Sequence, residues 1–291
     1  MEELLTVAAV ARQIGVAPAT LRTWARRYDL GPTAHVAGSH RKYCPEDLSR
    51  LLLMRRLITA GVAPAQAAEE AKTATEFKPI TSILENFQVN EDLVDAIYRA
   101  ALVFDKSFIE SALRMAIAEN GVVQTWQEVI APLLAKMGDI WATTGDGIEV
   151  EHLFSEILKR VMRESIVEVS NPINARPVLL AAVGEELHSL PIHALAAALS
   201  ERNIECHFLG ARTPLAALAG MVSRCAPPAV FLWAQVSTNA NPDFYTELPS
   251  VRPAPRVVLG GPGWDTEKCT EVVHVASLTL ACEEIARAVG A

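Results

Sequence analysis

The feature that most constrains the fold is an alternation of short apolar segments and helical segments that begins near residue 175. Segments of helix-forming composition separate five apolar runs rich in β-branched residues, at 176–183, 204–210, 229–236, 256–261 and 271–277. Strands that alternate with helices form a parallel sheet covered by helices. Such a sheet binds its ligand beyond the carboxyl ends of the strands, at the switch point. Residues 173–291 are therefore predicted to form an α/β domain with a ligand site at that edge.

The loop after the first predicted strand has the sequence GEELHSLPIH and places Glu186 and His188 at this edge. A carboxylate beside an imidazole fixes the tautomer and the orientation of the ring, which improves it as a metal ligand. A single histidine at a strand end is also commonly a hydrogen-bonded structural residue. The residues alone leave both interpretations open.

The middle of the chain, residues 76–172, is predicted to be a helical bundle. Apolar residues recur at spacings of three and four in four segments, 91–104, 106–120, 122–144 and 150–169. The short TTGDG loop brings Trp141, at the end of the third helix, close to Glu151 and His152, at the start of the fourth. Taken singly, a tryptophan at a helix end is usually core, and a glutamate in a first turn usually favours the helix dipole.

The first 75 residues differ from the rest in charge. Residues 1–60 contain nine Lys or Arg against five Asp or Glu, whereas the remainder contains 17 against 29. A basic N-terminal region followed by an acidic remainder predicts one module that binds a polyanion and another module that has a different partner.

The pattern within this N-terminal region predicts a winged helix-turn-helix. Thr6 is positioned to cap a first helix that Gly15 ends, and a second helix that Gly31-Pro32 closes projects the side chains of three arginines, Arg22, Arg26 and Arg27. A tight hairpin at Gly38-Ser39 is predicted to project the side chains of His40, Arg41 and Lys42 toward phosphates, before a helix that starts at CPEDL. Solvation of a helical surface is the plainer explanation for the arginines.

The segment TLRTWARRYDLGPTAHVAGSHRKY resembles the winged-helix domain of MerR-type transcription regulators. The resemblance covers about the first 75 residues and implies a double-stranded DNA operator as partner. It implies that the groove is faced by Thr20, Arg22 and Arg26, and the DNA backbone by His40, Arg41 and Lys42. Most members of that family dimerise through a long coiled coil, for which residues 60–80 are too short and too rich in alanine. Another part of the chain must therefore hold protomers together.

The spacing of Trp141, Glu151 and His152 resembles the W-x9-EH motif of cobalamin-dependent photoreceptor repressors of the CarH and LitR type. In that family the tryptophan covers the upper axial face of adenosylcobalamin and the Glu-His pair lines the adenosyl pocket. The Glu186-x-His188 pair resembles the D/E-x-H-x-x-G signature of cobalamin-binding domains, which makes His188 the expected metal ligand below the corrin. The residues expected along the nucleotide tail are Ser237, Gly260 and Gly261.

Two positions depart from the family pattern. The residue after the tryptophan is commonly a histidine that takes the upper coordination position after light has expelled the adenosyl group, but here it is Ala142. Alanine cannot bind cobalt, so no bis-histidine product is expected at this position. Pro191 replaces the signature glycine, and its fixed φ and added bulk are expected to narrow the channel for the displaced base.

The predicted protein is multidomain, with a winged helix-turn-helix (1–75), a four-helix bundle (76–172) and a Rossmann-like, flavodoxin-like parallel sheet (173–291). We expect a transcriptional repressor, not an enzyme, that forms a homo-oligomer, dimer or tetramer, under the control of a cobalamin, with adenosylcobalamin the favoured form. A drifted pocket for another tetrapyrrole, for a small metabolite or for no ligand is one alternative, and a corrinoid methyl carrier is another. No membrane segment is apparent and a cytoplasmic location is expected.

Overall fold

The computed structural model describes residues 4–33, 41–73, 91–166, 169–267, 269 and 272–291. The chain divides into two compact units, Met1–Ala112 and Leu113–Ala291. Within the described ranges, none of the helices combines the length and the apolar character needed to cross a membrane.

The first unit is mainly helical. Its elements in chain order are β1 (Leu5–Thr6), α1 (Val7–Ile14), α2 (Pro18–Tyr28), β2 (Lys42–Tyr43), α3 (Pro45–Thr59), α4 (Pro64–Thr73) and α5 (Glu91–Leu102). The side chain of Thr6 accepts a hydrogen bond from the Ala9 amide at 3.3 Å, and Gly15 ends α1 in the left-handed conformation, which confirms both predicted limits of this helix.

The second helix ends earlier than its sequence suggests. We expected Gly31-Pro32 to close it, but α2 stops at Tyr28 and Asp29 takes the left-handed conformation, with φ of 55°. Aspartate tolerates this conformation better than most residues. The Asp29 amide donates a hydrogen bond to the carbonyl oxygen of Trp24, so this carbonyl near the end of α2 is satisfied before the chain reaches Gly31.

The third helix begins at Pro45, as predicted, and a buried carboxylate fixes its start. Asp47 accepts hydrogen bonds from the amide of Cys44 at 3.1 Å and from the amide of Thr33 at 3.2 Å. Arg50 also donates to Asp47, at 2.9 Å. One side chain thus joins the start of α3 to the segment that follows α2.

Two arginines join α3 to α5 in a reciprocal way. Arg99 of α5 donates to the carbonyl oxygens of Thr59 at 3.2 Å and Ala60 at 3.0 Å, at the end of α3. Arg55 of α3 donates to the carbonyl of Val103, just beyond α5, at 3.5 Å. The last carbonyls of a helix have no partner within the helix, so a guanidinium at that position satisfies groups that would otherwise need water.

The second unit combines the remaining helices with the sheet. Its helical part, which starts inside α6, consists of α6 (Lys106–Thr125), a π-helical turn (Trp126–Ile130), α7 (Ala131–Thr144) and α8 (Ile148–Glu164). Gly121 interrupts α6 with a φ of 75° and a ψ of 169°. The break at Gly121 separates the predicted helical segments 106–120 and 122–144, as expected, whereas the periodicity did not predict the π-helical turn.

The α/β part has five parallel strands and four helices. They are β3 (Val178–Val183), α9 (Leu190–Glu201), β4 (Cys206–Thr213), α10 (Leu215–Cys225), β5 (Ala229–Trp233), α11 (Asp243–Thr246), β6 (Arg256–Gly260), β7 (Val273–Val275) and α12 (Leu278–Val289). The strand order is β4-β3-β5-β6-β7. The switch point lies between β3 and β5, because the chain continues from β3 to β4 on one side and returns to β5 on the other.

The predicted fold class is confirmed, with a helix-turn-helix, a helical region and a parallel five-stranded sheet. Every residue of β3 is buried, as expected for an interior strand of a parallel sheet covered on both faces. Residues 192–200 of α9 are all buried as well, which explains why this helix is apolar nearly all round.

Replacing Arg99 with alanine tests the joint between α3 and α5. We expect Arg99→Ala to lower the free energy of unfolding by about 1–2 kcal/mol, because two charge-assisted hydrogen bonds are lost at a partly exposed helix end. Urea unfolding followed by circular dichroism measures this. Arg12→Ala, which removes another arginine of the first unit from an exposed position, serves as the control and should change the value by less than about 0.5 kcal/mol. Equal effects of the two changes would contradict a specific role for Arg99.

Candidate functional site

The residues predicted to contact DNA lie on two elements of the first unit. On α2, Arg22 and Arg26 are exposed and Thr20 is half-buried, while Leu21 and Trp24 are buried in the core. This separation of a basic face from an apolar face is what a groove-reading helix requires.

The predicted wing is described in part. Arg41 is half-buried, Lys42 is exposed on β2, and Tyr43 is buried beside them. The strand β2 pairs with β1 in an antiparallel register that places Lys42 opposite Thr6. His40 and the Gly38-Ser39 hairpin lie outside the described residues.

The hairpin between α7 and α8 places Trp141 in the last turn of one helix and Glu151 with His152 in the first turns of the next. Gly145 and Gly147 both take positive φ, which permits the tight connection. Trp141 is 51 % exposed, so it is not a core tryptophan of this chain. The Nδ1 atom of His152 lies 3.4 Å from a carboxylate oxygen of Glu151.

A buried carboxylate organises the edge of the sheet at the switch point. One oxygen of Glu186 accepts from the amide of His188 at 2.9 Å and contacts its Nδ1 at 2.5 Å. The other oxygen accepts from the amides of Gln235 at 2.8 Å and Val236 at 3.1 Å, and from the side-chain amide of Asn239 at 3.3 Å. The loops after β3 and β5 are thereby held together by one side chain.

These hydrogen bonds outweigh the effect of burial on Glu186. Burial by itself raises the pKa of a carboxyl group, but hydrogen bonds from His188 and from the amides of Val236 and Gln235 lower the pKa of Glu186 to about 2. The group is therefore an ionised acceptor at neutral pH. Since a carboxylate only accepts, the hydrogen between the two side chains belongs to Nδ1 of His188.

The outer side of His188 remains available. Its side chain is 60 % exposed although its carboxylate partner is buried. With the hydrogen on Nδ1, the neutral ring has its lone pair on Nε2, the form in which imidazole binds metals. The described residues offer Nε2 no hydrogen bond, so the pair supplies an oriented, exposed nitrogen ligand beside the switch point.

The other three predicted residues of this edge differ in their surroundings. Ser237 is exposed in a 3-10 turn (Ser237–Asn239) after β5. Gly260 ends β6, and a Cβ atom placed on it would lie 2.3 Å from Cζ of Phe231. A Cβ on Gly261 would lie 2.2 Å from the carbonyl oxygen of Ala234. The close approach that requires glycine here is thus an approach of the chain to itself.

A cavity of about 290 Å³ lies at the carboxyl ends of β5, β6 and β7. Its wall includes Trp126, Pro191, Trp233, Gly261 and His274. Pro191 was expected to narrow a channel at this edge; it occupies the first turn of α9 and forms part of the wall of a cavity that remains open.

Sequence reasoning did not identify several contributors to this edge. The amides of Gln235 and Val236 act through the backbone, which leaves no side-chain signal in the sequence. Asn239 lies two residues after Ser237, the residue of this segment that the sequence did indicate. Trp126 belongs to no motif that the sequence indicated, and the tertiary fold brings it to the cavity.

Two family models match parts of the chain. Residues 5–73 match the model of the MerR HTH family regulatory proteins, and residues 93–164 match the model of the B12 binding domain. The chain is a MerR-type regulator with a B12-binding region. The predicted ligand class, a cobalamin, is thereby confirmed for this regulator.

Two curated relatives of the regulator come from Myxococcus xanthus. The HTH-type transcriptional repressor CarH is 26% identical over 269 residues, which cover 87% of this chain and 85% of the relative. The HTH-type transcriptional repressor CarA is 28% identical over 266 residues, which cover 89% and 87%. Both are repressors, in agreement with the prediction of a regulator and not an enzyme.

Among solved structures, the monomethylamine corrinoid protein of Methanosarcina barkeri superposes with a TM-score of 0.56 at 12% identity. The match covers 68% of this chain and 99% of that chain. At this identity the likeness concerns the fold alone.

Glutamine in place of Glu186 tests the network at the sheet edge. Because the folded pKa of about 2 lies below the usual value of 4.5, the stabilisation is complete above about pH 4.5 and is lost as the pH falls toward 2. We expect Glu186→Gln to lower the free energy of unfolding by about 2–3 kcal/mol at pH 7. The difference between wild type and variant should shrink as the pH falls below 4.5.

Denaturant unfolding at pH 7, 4.5 and 3 measures this difference. Glu185→Gln is a matched control, because the side chain of Glu185, next to Glu186 in the sequence, is 73 % exposed and its ion-pair partner among the described residues is Arg212 at the surface. That change should alter stability by less than about 0.5 kcal/mol. A pH-independent difference between wild type and Glu186→Gln would show that the charge of Glu186 does not matter.

Proposed function

We propose that this protein is a DNA-binding transcriptional repressor whose assembly and operator affinity are controlled by a cobalamin, with adenosylcobalamin the favoured form. The observation that carries the proposal is the pairing of buried Glu186 with exposed His188 at the switch point of the sheet. In a chain with MerR and B12-binding regions, an imidazole oriented in this way is suited to coordinate cobalt from below.

The residues present fit such a group. His188 offers Nε2, the half-exposed ring of Trp141 offers an apolar cover, and the cavity beyond Gly261 offers room for a nucleotide tail. In the proposal, Glu151 and His152 would line the space beside the bound group, Gly260 would border the tail cavity, and Ser237 would lie at the approach to that cavity.

The bound group would supply a cobalt centre with a cobalt–carbon bond that light can break. The chain would hold this group with the imidazole of His188 and would cover it with the indole of Trp141. Ala142, next to that tryptophan, has no donor atom. A second histidine ligand from this position is therefore excluded, and a bis-histidine product would need another residue.

The DNA-binding part of the proposal assigns α2 to the major groove. The exposed guanidinium groups of Arg22 and Arg26 suit base edges and phosphates, with Thr20 beside them. Arg41 and Lys42, together with His40, are assigned to the sugar-phosphate backbone. We propose a double-stranded operator as the partner and a cytoplasmic location for the protein.

A single helix-turn-helix of this size reads a short half-site, so an operator needs several copies of the chain. We propose a homo-oligomer, dimer or tetramer, that the ligand assembles. Linking several DNA readers raises affinity through effective concentration without new contacts. CarH and CarA are named as repressors, and repression is the direction of control proposed for this chain.

A corrinoid carrier is the second candidate. The fold of a monomethylamine corrinoid protein covers 68% of the chain, and that observation favours it. The remaining part of the chain, however, carries the MerR match and the exposed basic face of α2, for which a carrier has no use. A drifted pocket that binds another ligand is the third candidate, and the following test addresses it.

Absorbance spectroscopy with adenosylcobalamin tests the proposal. The purified chain should retain the colour of the cobalamin after desalting, and His188→Ala should bind at least about tenfold more weakly because the lower ligand is lost. His207→Ala, at an exposed histidine on β4, is the matched control and should bind as the wild type does. A wild type that retains no colour would exclude cobalamin, and equal binding by His188→Ala would exclude His188 as the ligand.

Illumination of the coloured complex distinguishes two kinds of sensor. A change in spectrum together with loss of operator binding would make the protein a photoreceptor whose light response does not use a cobalt ligand from residue 142. Colour that is unchanged by light would make it a chemical sensor of cobalamin.

Arg22→Ala tests the groove assignment. We expect operator affinity to fall by roughly tenfold or more, with relaxed preference at one base position, since a bidentate arginine contact contributes about 1–3 kcal/mol. Fluorescence anisotropy at several salt concentrations measures both affinity and salt slope. Arg224→Ala, at an exposed position on α10, is the control. Unchanged affinity and sequence preference in Arg22→Ala would contradict the assignment.

A further inference from the structure

The cavity at the sheet edge has one wall that does not come from the α/β part. All its lining residues between Pro191 and Ala281 belong to that part, and of the described lining residues Trp126 alone belongs to the helical region. Trp126 is the first residue of the π-helical turn between α6 and α7. Such turns are rare and frequently occur at functional sites.

The chain on the N-terminal side of Trp126 is fixed to the α/β part. Gly121 breaks α6, and Glu201 at the end of α9 accepts from the freed amide of Val122, at 3.0 Å to one oxygen and 3.3 Å to the other. The buried hydroxyl of Thr125 donates to the carbonyl of Ala116 at 2.9 Å. The residue directly before the tryptophan is therefore held in place.

The chain on the C-terminal side is fixed as well. The side chain of Gln127 donates to the hydroxyl of Thr279 in the first turn of α12 at 3.0 Å. Residues on both sides of Trp126 are thus tied to helices that flank the sheet. The position of the Trp126 indole at the cavity is set by these hydrogen bonds and not by the helix propensity of the residues around it.

The remaining wall is rich in flat side chains. Phe231, Trp233 and His274 contribute rings, and Pro191 contributes a fourth, saturated ring. His274 is oriented by a contact of 3.3 Å between its Nε2 and the carbonyl oxygen of Gly261. Aromatic walls favour a planar aromatic guest, because offset stacking adds about 0.5–1.5 kcal/mol to the burial of area.

We infer that Trp126 is a specificity-determining residue, which makes the protein select corrinoids whose lower tail ends in a flat aromatic base. This inference rests on the proposed function, since it requires that a corrinoid binds. Trp126 contacts only the tail end of the ligand, so it affects the choice between corrinoids and leaves the ligation by His188 unchanged.

Two corrinoids that differ only in the tail test the inference. Adenosylcobinamide lacks the nucleotide and its base, whereas adenosylcobalamin has both. We expect wild type to bind adenosylcobalamin at least about tenfold more tightly, a difference of about 1.4 kcal/mol. In Trp126→Ala this preference should fall to less than about threefold, with affinity for adenosylcobinamide unchanged. Spectrophotometric titration of the full chain measures both constants.

Two further variants make the result specific. Trp126→Phe keeps a planar ring and should keep most of the preference. The melting temperature of Trp126→Ala, compared with that of wild type, shows whether a loss of preference is caused by misfolding. Trp141→Ala removes the exposed indole of the other helix end and should weaken both corrinoids by the same factor.

The outcomes are distinct. If Trp126→Ala weakens both corrinoids equally, or neither, the inference is overturned while the proposed function stands. If wild type binds the two corrinoids equally, the cavity does not read the tail and the inference is again overturned. If wild type binds neither corrinoid, the proposed function itself fails.

Discussion

The ligand edge of this protein depends on a single buried carboxylate. Glu186 accepts hydrogen bonds from two loops that follow neighbouring strands, so the position of His188 and the path of the chain after β5 are fixed together. A neutral side chain of the same shape has one acceptor oxygen and two hydrogens of its own, which would face amide donors. The charge is stabilised by these donors, and it sets in turn which nitrogen of His188 faces outward.

The parts of the fold that sequence predicted are those determined locally. Strands at the centre of a parallel sheet are buried on both faces, so continuous apolar runs identified β3 and β5. Thr6, Gly15 and Pro45 mark helix limits because each acts within its own turn. The predicted end of α2 was wrong because no strong sequence signal marks the left-handed conformation of Asp29, whereas Gly31, two residues later, is a common signal for a helix end.

The candidate site divides in the same way. Glu186 and His188 are two residues apart, so their partnership was predictable from spacing. Their donors at Gln235 and Val236 come from about fifty positions further along the chain and depend on strand order. Trp126 reaches the cavity only because the π-helical turn is tied down by two distant side chains, one from α9 and one from α12. No local pattern encodes that arrangement.

A ligand shifts a conformational equilibrium only by as much as it binds one state better than the other. The helical layer of the second unit is anchored to the α/β part near Val122 and Gln127. At the α7–α8 hairpin, by contrast, the side chains of Trp141 and Ile148 are half exposed. Burying one such aromatic side chain contributes about 2–3 kcal/mol, which exceeds the 1.4 kcal/mol that changes a population tenfold. In the proposed complex, a flat group that Trp141 covers in one packing of this layer and not in another would therefore have enough differential binding energy to select the first packing.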